Sequence, residues 1–171
     1  AVGMELNMDF PAVSDALKNF TGVQRRFEIL HQSDSLNIVD DYGHHPAEIQ
    51  ATLETAKTVW PNRRLVVVFQ PHRFSRTQHL LESFYSSFND ADQLVLLDIY
   101  AAGEKSIEGI HSRKIAQGVR EFGHKHVDFL ESIDSVIPHL KNSLQPGDVV
   151  LTLGAGNIGE LAHKLAAQFH D

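Results

Sequence analysis

The sequence contains no cysteine and no long hydrophobic run, and these two absences exclude several kinds of protein. Without cysteine there is no disulfide framework, no thiolate metal site and no cysteine nucleophile. No apolar run approaches the ~20 residues that cross a bilayer, so we expect no membrane partner. No basic segment followed by an apolar segment opens the chain, and we therefore expect a cytoplasmic location.

Positive charge is also scarce, because 22 acidic residues outnumber 15 basic ones and give a formal net charge of -7. An acidic chain lacks the electrostatic footprint of a nucleic-acid-binding protein, so we expect no nucleic-acid partner. The few cations are clustered, however. Arg73 and Arg76 lie close to His72 in the sequence, and Arg25 and Arg26 are adjacent. A locally basic cleft on an acidic protein favours a small anionic ligand.

The sequence does contain a regular alternation of strand and helix patterns. Residues 26–31 alternate polar and apolar side chains, and more continuously apolar runs follow at 36–40, 64–69, 94–99, 126–130 and 148–153. From Leu36 onward a strand followed by a helix occurs five times, which predicts parallel strands with right-handed crossovers. The predicted fold is a doubly wound α/β domain, with a mainly parallel sheet and helices on both faces. The residues before Leu36 are expected to form an appended hairpin or linker.

Side chains that can perform chemistry follow four of the predicted strands. They lie in the segments Asp40–Pro46 and Gln70–Arg76, at Tyr100, and in the segment Gly154–Gly159. Because the carboxyl ends of parallel strands meet at one edge of a sheet, we expect these segments to form one site. The alternative is that turns are polar in any protein, and that these segments are only turns.

The segment Gln70–Arg76, which follows the predicted strand at 64–69, favours the binding of an anion. Arginine pairs with a carboxylate or phosphate through two parallel hydrogen bonds, and Arg73 and Arg76 lie beside His72. A helix that begins near Ser75 would add free backbone N–H groups and the positive end of its dipole. The alternative is a solvated basic turn.

The segment Asp40–Pro46 holds two consecutive carboxylates and two consecutive imidazoles. Asp40 and Asp41 point to opposite faces of a strand, so at most one of them reaches a given ligand, such as a ribose. The same carboxylate could instead cap a helix or a turn. Adjacent His44 and His45 seldom bind one ion, so we expect no metal site. One imidazole is expected to face the cleft while the other packs or caps.

The segment Gly154–Gly159 matches the G-x-G-x-x-G pattern of dinucleotide-binding loops. The sequence stops at Asp171, before an acidic ribose ligand could follow about 20 residues later, so we interpret the segment as a tight turn. A dinucleotide-dependent oxidoreductase using NAD(P) and a non-catalytic interaction domain remain as alternative functions. There is no phosphate-binding P-loop and no G-x-S-x-G nucleophile elbow, so we expect no complete catalytic set in this chain.

Taken together, the motifs resemble the carboxyl-terminal part of the Mur ligase family. The resemblance covers essentially the whole chain, with the motifs in the family's order and spacing. The motifs are Arg25–Phe27, Asp40–Pro46, Phe69–Thr77 and Gly154–Gly159. They are most similar to those of the member that joins L-alanine to UDP-N-acetylmuramate. The related ligase that recycles cell-wall tripeptide typically has Phe-Ala in place of Tyr42-Gly43.

The resemblance implies a Rossmann-like fold and an ATP-dependent ligase of peptidoglycan synthesis with three domains. In such a ligase the UDP-sugar binds to the first domain, and the central domain holds the P-loop and the Mg²⁺ ligands. The last domain brings in the amino acid and closes over ATP. By this resemblance, residues 1–34 are the tail of the central ATPase domain and a linker, and residues 35–171 are the carboxyl-terminal domain. The fragment is expected to be inactive alone.

The resemblance also implies roles for individual residues. Arg26 matches an arginine in reach of the nucleotide phosphates, and Asp41 matches an aspartate that contacts the ATP ribose. Five residues match positions that line the amino-acid pocket: Tyr42, His44, His72, Arg73 and Arg76. Arg76 or Arg73 would hold the alanine carboxylate, while Tyr42 and His72 would limit the size of the side chain.

Overall fold

The computed structural model describes residues 2–19 and 22–169. The strands are β1 (Glu28–Gln32), β2 (Leu36–Asp41), β3 (Leu65–Phe69), β4 (Gln93–Leu97), β5 (Val127–Leu130) and β6 (Asp148–Leu153). The helices are α1 (Val2–Glu5), α2 (Phe10–Lys18), α3 (Pro46–Val59), α4 (Phe74–Tyr85), α5 (Ser112–Glu121), α6 (Val136–Ser143) and α7 (Ile158–Ala166). A short 3-10 turn, Ile133–Ser135, precedes α6. No helix in the described part of the chain is both long and apolar enough to cross a membrane.

The six strands form one sheet in the order β1-β2-β6-β3-β4-β5. All neighbouring pairs from β2 to β5 are parallel, and only β1 runs antiparallel to its neighbour. The predicted fivefold strand–helix order is therefore confirmed. Of the two alternatives for the residues before Leu36, a hairpin or a linker, β1 forms a hairpin with β2. β1 belongs to this sheet although it precedes residue 35, where the boundary of the carboxyl-terminal domain was expected.

Helices cover both faces of the sheet, as the continuous apolar strands predict. One face packs against α3, α4 and α5, and its core includes Ile49, Leu53, Phe84, Phe88, Ile115 and Val119. The other face packs against α6 and α7, and its core includes Val136, Leu140, Ile158, Leu161 and Leu165. Burial of each such side chain stabilises the fold by about 1.5–3 kcal/mol.

The two helices at the start of the described chain contribute nothing to this core. α2 begins after Asp9 and has a proline in its first turn, as the sequence predicts, but neither α1 nor α2 has a buried residue. Phe10 and Leu17 are 68% and 69% exposed. The sheet is therefore stabilised without the helices that precede it.

The position of β6 determines where a site can form. β6 is the last strand in the sequence but lies between β2 and β3, so the strand order reverses at this point. The register places Asp41 beside Leu153, and Leu153 beside Phe69. Three of the polar turns predicted from the sequence consequently begin side by side. Open α/β sheets bind ligands at such a point.

Candidate functional site

The four polar segments lie together at the carboxyl edge of the sheet, as predicted. Backbone hydrogen bonds connect each one to another. Gly154 N–H donates to the backbone carbonyl oxygen of Asp41 (3.3 Å), and Gln70 N–H donates to that of Leu153 (3.0 Å). Tyr100 N–H donates to the carbonyl oxygen of Pro71, and Arg73 N–H to that of Tyr100, both at 2.8 Å. The turns therefore hold one another in place before any ligand arrives.

The first carboxylate of the opening turn has a structural role. Asp40 is fully buried and accepts hydrogen bonds from Arg25 Nε and from Thr152 Oγ1, both at 2.7 Å. The same guanidinium donates to the carbonyl oxygens of Gly154 at 2.6 Å and Gly156 at 3.3 Å. Arg25 thus fastens the segment before β1 to the edge that carries the site. The sequence identified this arginine as half of an adjacent pair and as part of the motif Arg25–Phe27, but not as the partner of Asp40.

The second carboxylate, that of Asp41, points to the opposite face of β2 from Asp40, as predicted. Asp41 Oδ2 accepts the backbone N–H of Phe27 at 2.8 Å, and Oδ1 accepts that of Gly43 at 2.7 Å. Each oxygen retains a further lone pair that can accept another hydrogen bond. Asp41 is 8% exposed, so its carboxylate is largely but not wholly removed from solvent.

The two adjacent histidines have different roles, as predicted. His45 precedes α3 as its N-cap, and its Nδ1 accepts the Ala47 N–H at 3.4 Å. Glu48 in the first turn of α3 accepts the N–H groups of His44 (2.9 Å) and His45 (3.0 Å). Burial alone would raise the pKa of Glu48, but these two donors and the nearby His44 and Arg26 side chains outweigh it and lower the pKa. The cap is therefore an ionised carboxylate. The His44 ring lies between the rings of Tyr42 and His72, with its Nδ1 3.0 Å from the Tyr42 carbonyl oxygen.

Four aromatic rings form a continuous row at this edge of the sheet, which we call the ring row: Tyr42, His44, His72 and Tyr100. The ring centroids are 5.4 Å apart between Tyr42 and His44, and 5.9 Å apart between His44 and His72. Tyr100 is stacked on His72 at 5.6 Å with an angle of 18° between the ring planes. Tyr42 and Tyr100 are 36% and 39% exposed, so the two ends of the row face solvent.

The guanidinium of Arg76 lies against this row. Arg76 is one helical turn after His72, and its Nη1 is 3.1 Å from His72 Nδ1 and 3.3 Å from the His72 carbonyl oxygen. Burial lowers the pKa of His72, and the positive charges of Arg76, His44 and Arg73 lower it further. His72 is therefore neutral at pH 7, and its Nδ1 accepts a hydrogen bond from Arg76.

α4 begins at Phe74, near Ser75 as predicted, but the Ser75 N–H group is not free. Instead the backbone N–H and the hydroxyl of Ser75 donate to the Glu104 carboxylate at 3.0 Å and 2.6 Å. The N–H group expected to receive an external anion is therefore occupied by an acid of the same chain. These hydrogen bonds from Ser75 lower the pKa of Glu104.

The remaining two arginines lie next to Tyr42 and at the start of α4. Arg26 is exposed, and its guanidinium carbon lies 5.4 Å from the centre of the Tyr42 ring, while that of Arg25 lies 5.3 Å from it. Arg73 is the exposed N-cap of α4, with a φ of 73°. Arg26 is adjacent to the ring row, whereas the charge of Arg73 lies near that of Glu104.

The glycine-rich segment packs against its own chain. A Cβ placed on Gly154 would lie 2.7 Å from the Gln70 carbonyl oxygen, and one on Gly156 would lie 2.7 Å from both Gln70 Oε1 and the Tyr100 ring. A Cβ on Gly159 would lie 2.6 Å from Arg25 Nε. The glycines therefore allow close contact with neighbouring segments, as expected for a tight turn, and leave no room for a dinucleotide between them.

Two groups at this edge were not singled out by the sequence. Gln70 is 7% exposed and donates through Nε2 to Asn157, but no partner of its Oε1 is found in the described part of the chain. Glu104 lies in the long loop after β4, 29 positions from Ser75. Only the length of that loop could have indicated it. No group of three or more His, Asp or Glu side chains that could hold a metal ion occurs within residues 2–19 and 22–169.

The fold and this edge define a doubly wound α/β domain in which arginine, histidine and tyrosine side chains meet at the point where the strand order reverses. The chain belongs to the Mur ligase family: the family model described as "Mur ligase, glutamate ligase domain" matches residues 25–156. The resemblance inferred from the motifs is thereby confirmed, and the domain is the family's carboxyl-terminal one.

Relatives and solved structures agree with this membership. The chain is 47% identical over its full length to the UDP-N-acetylmuramate–L-alanine ligase of Geobacter sulfurreducens, of which it covers 37%. It is 50% identical over 165 residues to the ligase of the same name from Geotalea uraniireducens, covering 36% of that protein. The crystal structure of the UDP-N-acetylmuramate–alanine ligase of Thermotoga maritima superposes with a TM-score of 0.81 at 29% identity, over 98% of this chain and 35% of that one. The chain therefore spans little more than a third of the relatives it matches.

Proposed function

We propose that this chain is the amino-acid-binding and ATP-closing domain of a cytoplasmic ligase that joins L-alanine to UDP-N-acetylmuramate in peptidoglycan synthesis. The observation that carries the proposal is the ring row with Arg76 against it, at the edge where an α/β sheet binds ligands. The names of the relatives supply the substrates. The residues before β1 would be the tail of the central ATPase domain and a linker. The carboxyl-terminal domain would begin with β1 and not at residue 35, because β1 pairs with β2 in its sheet.

Arg76 is the better of the two candidate anchors for the alanine carboxylate. Its hydrogen-bond partner is the neutral His72, and no acidic side chain in the described part of the chain forms an ion pair with it. A guanidinium without a carboxylate partner in its own chain can bind the carboxylate of a ligand through two parallel hydrogen bonds. Arg73 faces the carboxylate of Glu104, so we assign it a longer-range electrostatic contribution.

The ring row beside Arg76 would account for the choice of a small amino acid. We assign Tyr42 and His72 to limiting the size of the side chain, with His44 between them. L-alanine is a tiny ligand, and part of its pocket would come from the rest of the ligase. We therefore expect the chain alone to bind it with a dissociation constant of about 1 mM or weaker, which corresponds to about -4 kcal/mol.

Asp41 and Arg26 fit the nucleotide side of the site. The spare lone pairs of the Asp41 carboxylate can accept ribose hydroxyl groups without breaking its two backbone bonds. The exposed guanidinium of Arg26 next to Tyr42 can reach a phosphate. ATP would supply the phosphoryl group that converts the muramate carboxylate into an acyl phosphate. The described residues do not fit a magnesium site, and we assign Mg²⁺ and the P-loop to the rest of the ligase.

This chain would hold L-alanine in position for the second step of the reaction. In that step the amine of alanine attacks the acyl carbon, phosphate leaves, and the amine loses a proton. A carboxylate held by Arg76 and a methyl group against the ring row would leave the amine free to point towards the acyl phosphate. Because the phosphate-binding loop lies outside this chain, we expect no ligation from the chain alone. Measurable ligation by the purified chain would contradict this.

The decisive experiment is Arg76→Ala in a ligase that contains this domain. We expect the KM for L-alanine to rise about tenfold or more, as the loss of a charged hydrogen-bond pair implies, with little change in the KM for ATP. Arg113→Ala is the matched control, because Arg113 pairs with Glu131 elsewhere on the surface. Equal increases of both KM values would refute the role of Arg76. A fluorescence titration with NADH and NADPH tests the oxidoreductase alternative, and we expect no change.

A further inference from the structure

The long loop after β4 is attached firmly to the start of α4. Tyr100 N–H donates to Pro71 and Arg73 N–H donates to Tyr100, both at 2.8 Å, which forms a short parallel bridge. Four residues later in the loop, the Glu104 carboxylate accepts both hydrogen bonds from Ser75. Two backbone bonds and two side-chain bonds therefore connect the two segments.

The conformation of the loop between these attachments favours a role for Glu104. Ala102 and Gly103 have φ values of 49° and 83°, so two consecutive residues adopt the left-handed region. That region is unfavourable for alanine, and a residue in it is normally held there by contacts outside the turn. Glu104 is the next residue, and its bonds to Ser75 are contacts of that kind.

The attachment determines where the Tyr100 ring lies. The ring is stacked on His72, and it is also so close to Gly156 that a Cβ there would lie 2.7 Å from the Tyr100 Cγ. Tyr100 therefore contacts both His72 and the glycine-rich segment. Any movement of the loop would move this ring and expose His72.

We propose that Glu104 is a positioning residue, which fastens the loop to α4 through Ser75 and so keeps Tyr100 stacked on His72. The value of this position for alanine binding rests on the proposed function, because it assumes that His72 lies in the alanine pocket. The fastening itself does not depend on that assumption.

Removal of Glu104 has two opposite effects on His72, and their balance tests the proposal. The charged groups that face His72 are Arg76, His44 and Arg73, which lower its pKa, and Glu104, which raises it. Loss of the negative charge alone would lower the pKa further. Loss of the stacked Tyr100 would expose the imidazole, and burial is the largest cause of the lowered pKa. The pKa would then rise.

The experiment is an NMR titration of the His72 ring in the 171-residue chain and its Glu104→Ala variant. We expect the pKa of His72 to rise towards its ordinary value and the ring-current shift from Tyr100 to disappear. We also expect the amide protons of Tyr100 and Ser75 to exchange about tenfold faster or more, which is the range for a lost charged hydrogen bond. A lower or unchanged pKa of His72, or unchanged exchange, would overturn the proposal.

Two further variants provide the controls. Glu108→Ala removes the same charge from an exposed position in the same loop, and should leave the pKa of His72 and the exchange rates unchanged. Ser75→Ala keeps the charge of Glu104 and removes one of its bonds, so it should raise the pKa of His72 by a smaller amount. If Glu108→Ala matches Glu104→Ala, or if Ser75→Ala has no effect, the fastening is refuted.

None of these measurements requires ATP or alanine, so they are independent of the proposed function. L-alanine is then added to the wild-type chain and the His72 and Arg76 signals are followed. Absence of any shift up to high millimolar alanine would count against the proposed pocket while leaving the role of Glu104 intact. If alanine shifts these signals in the wild type and shifts them less in Glu104→Ala, the position that Glu104 maintains contributes to alanine binding.

Discussion

Buried polar residues near the sheet differ sharply in how well they are paired. Asp40 is fully buried and has bonds to Arg25 and Thr152, whereas Asn37 is 1% exposed and has no hydrogen-bond partner for either side-chain amide atom in the described chain. Both residues lie on β2. A buried polar group without a partner costs about 1–3 kcal/mol. Asn37 is therefore a position where the fold has not reached its greatest stability.

Replacement of Asn37 by leucine should stabilise the protein. The side chains are similar in size, and the change removes two buried polar atoms without removing a bond, so we expect the free energy of unfolding to rise by about 1–2 kcal/mol. Urea denaturation followed by circular dichroism measures this change. Asp40→Leu is the control on the same strand and should be strongly destabilising, because it leaves Arg25 without its carboxylate. A loss of stability in Asn37→Leu would show that its amide has a partner, such as a buried water.

The role of a residue could be predicted when it depends on neighbours in the sequence, and not when it depends on a contact with a distant segment. The opposite directions of Asp40 and Asp41 follow from the two-residue period of a strand. The role of Glu104 could not be found in this way, because Ser75 is 29 positions from it. The contact between Arg25 and the Gly154 carbonyl spans 129 positions. The assignments of Arg26, Asp41 and the pocket residues came from the family resemblance, and they stay proposals.

At the scale of whole elements, strands buried on both faces were the easiest to predict. β6 occupies the predicted residues 148–153. β1 begins and ends later than the predicted 26–31, and its pairing shifts between Ile29 and His31. Such an irregularity changes which side chains face the core, and a simple alternation of polar and apolar residues does not reveal it. α4 begins at Phe74, near Ser75 as predicted, but the hydrogen bond of the Ser75 N–H group to Glu104 was not predicted, because Glu104 lies in a distant loop.

Deletion of residues 1–19 should leave the α/β domain intact. α1 and α2 have no buried residues, so we expect the free energy of unfolding to change by no more than about 0.5 kcal/mol. Urea denaturation of the shortened chain measures this. A longer deletion, through residue 27, is the matched control. It removes the Arg25 contacts and the Phe27 ring stacked 6.0 Å from Trp60, and should be clearly destabilising. Equal losses in both deletions would show that α1 and α2 also support the sheet.

At the scale of the whole molecule, folding makes several groups harder to protonate. The pKa is lowered in four acidic or imidazole side chains: Glu48, Glu104, His72 and His124. Hydrogen bonds account for the two carboxyls, and burial is the largest cause for the two imidazoles. The unfolded chain therefore binds more protons than the folded chain wherever these groups titrate. By linkage, the free energy of unfolding must fall as the pH falls.

We expect this acid destabilisation to occur in two ranges of pH. The imidazoles contribute as the pH falls below their ordinary pKa of 6.5, and the carboxyls contribute below theirs of 4.5. Urea denaturation at a series of pH values measures both. His124→Gln should flatten the upper range and Glu48→Gln the lower one. A free energy of unfolding that stays constant or rises from pH 7 to pH 4 would contradict the linkage.

The Arg25 contacts with Asp40, Gly154 and Gly156 fix the path by which the chain enters this domain. Residues 22–24 must leave it at the same edge as the ring row, so whatever they join is tethered a few residues away, at about 3.3–3.6 Å each. A short flexible tether of this kind gives an effective concentration in the millimolar range. Whatever precedes Arg25 is therefore presented to this edge of the sheet at a high local concentration, without any further contact to hold it there.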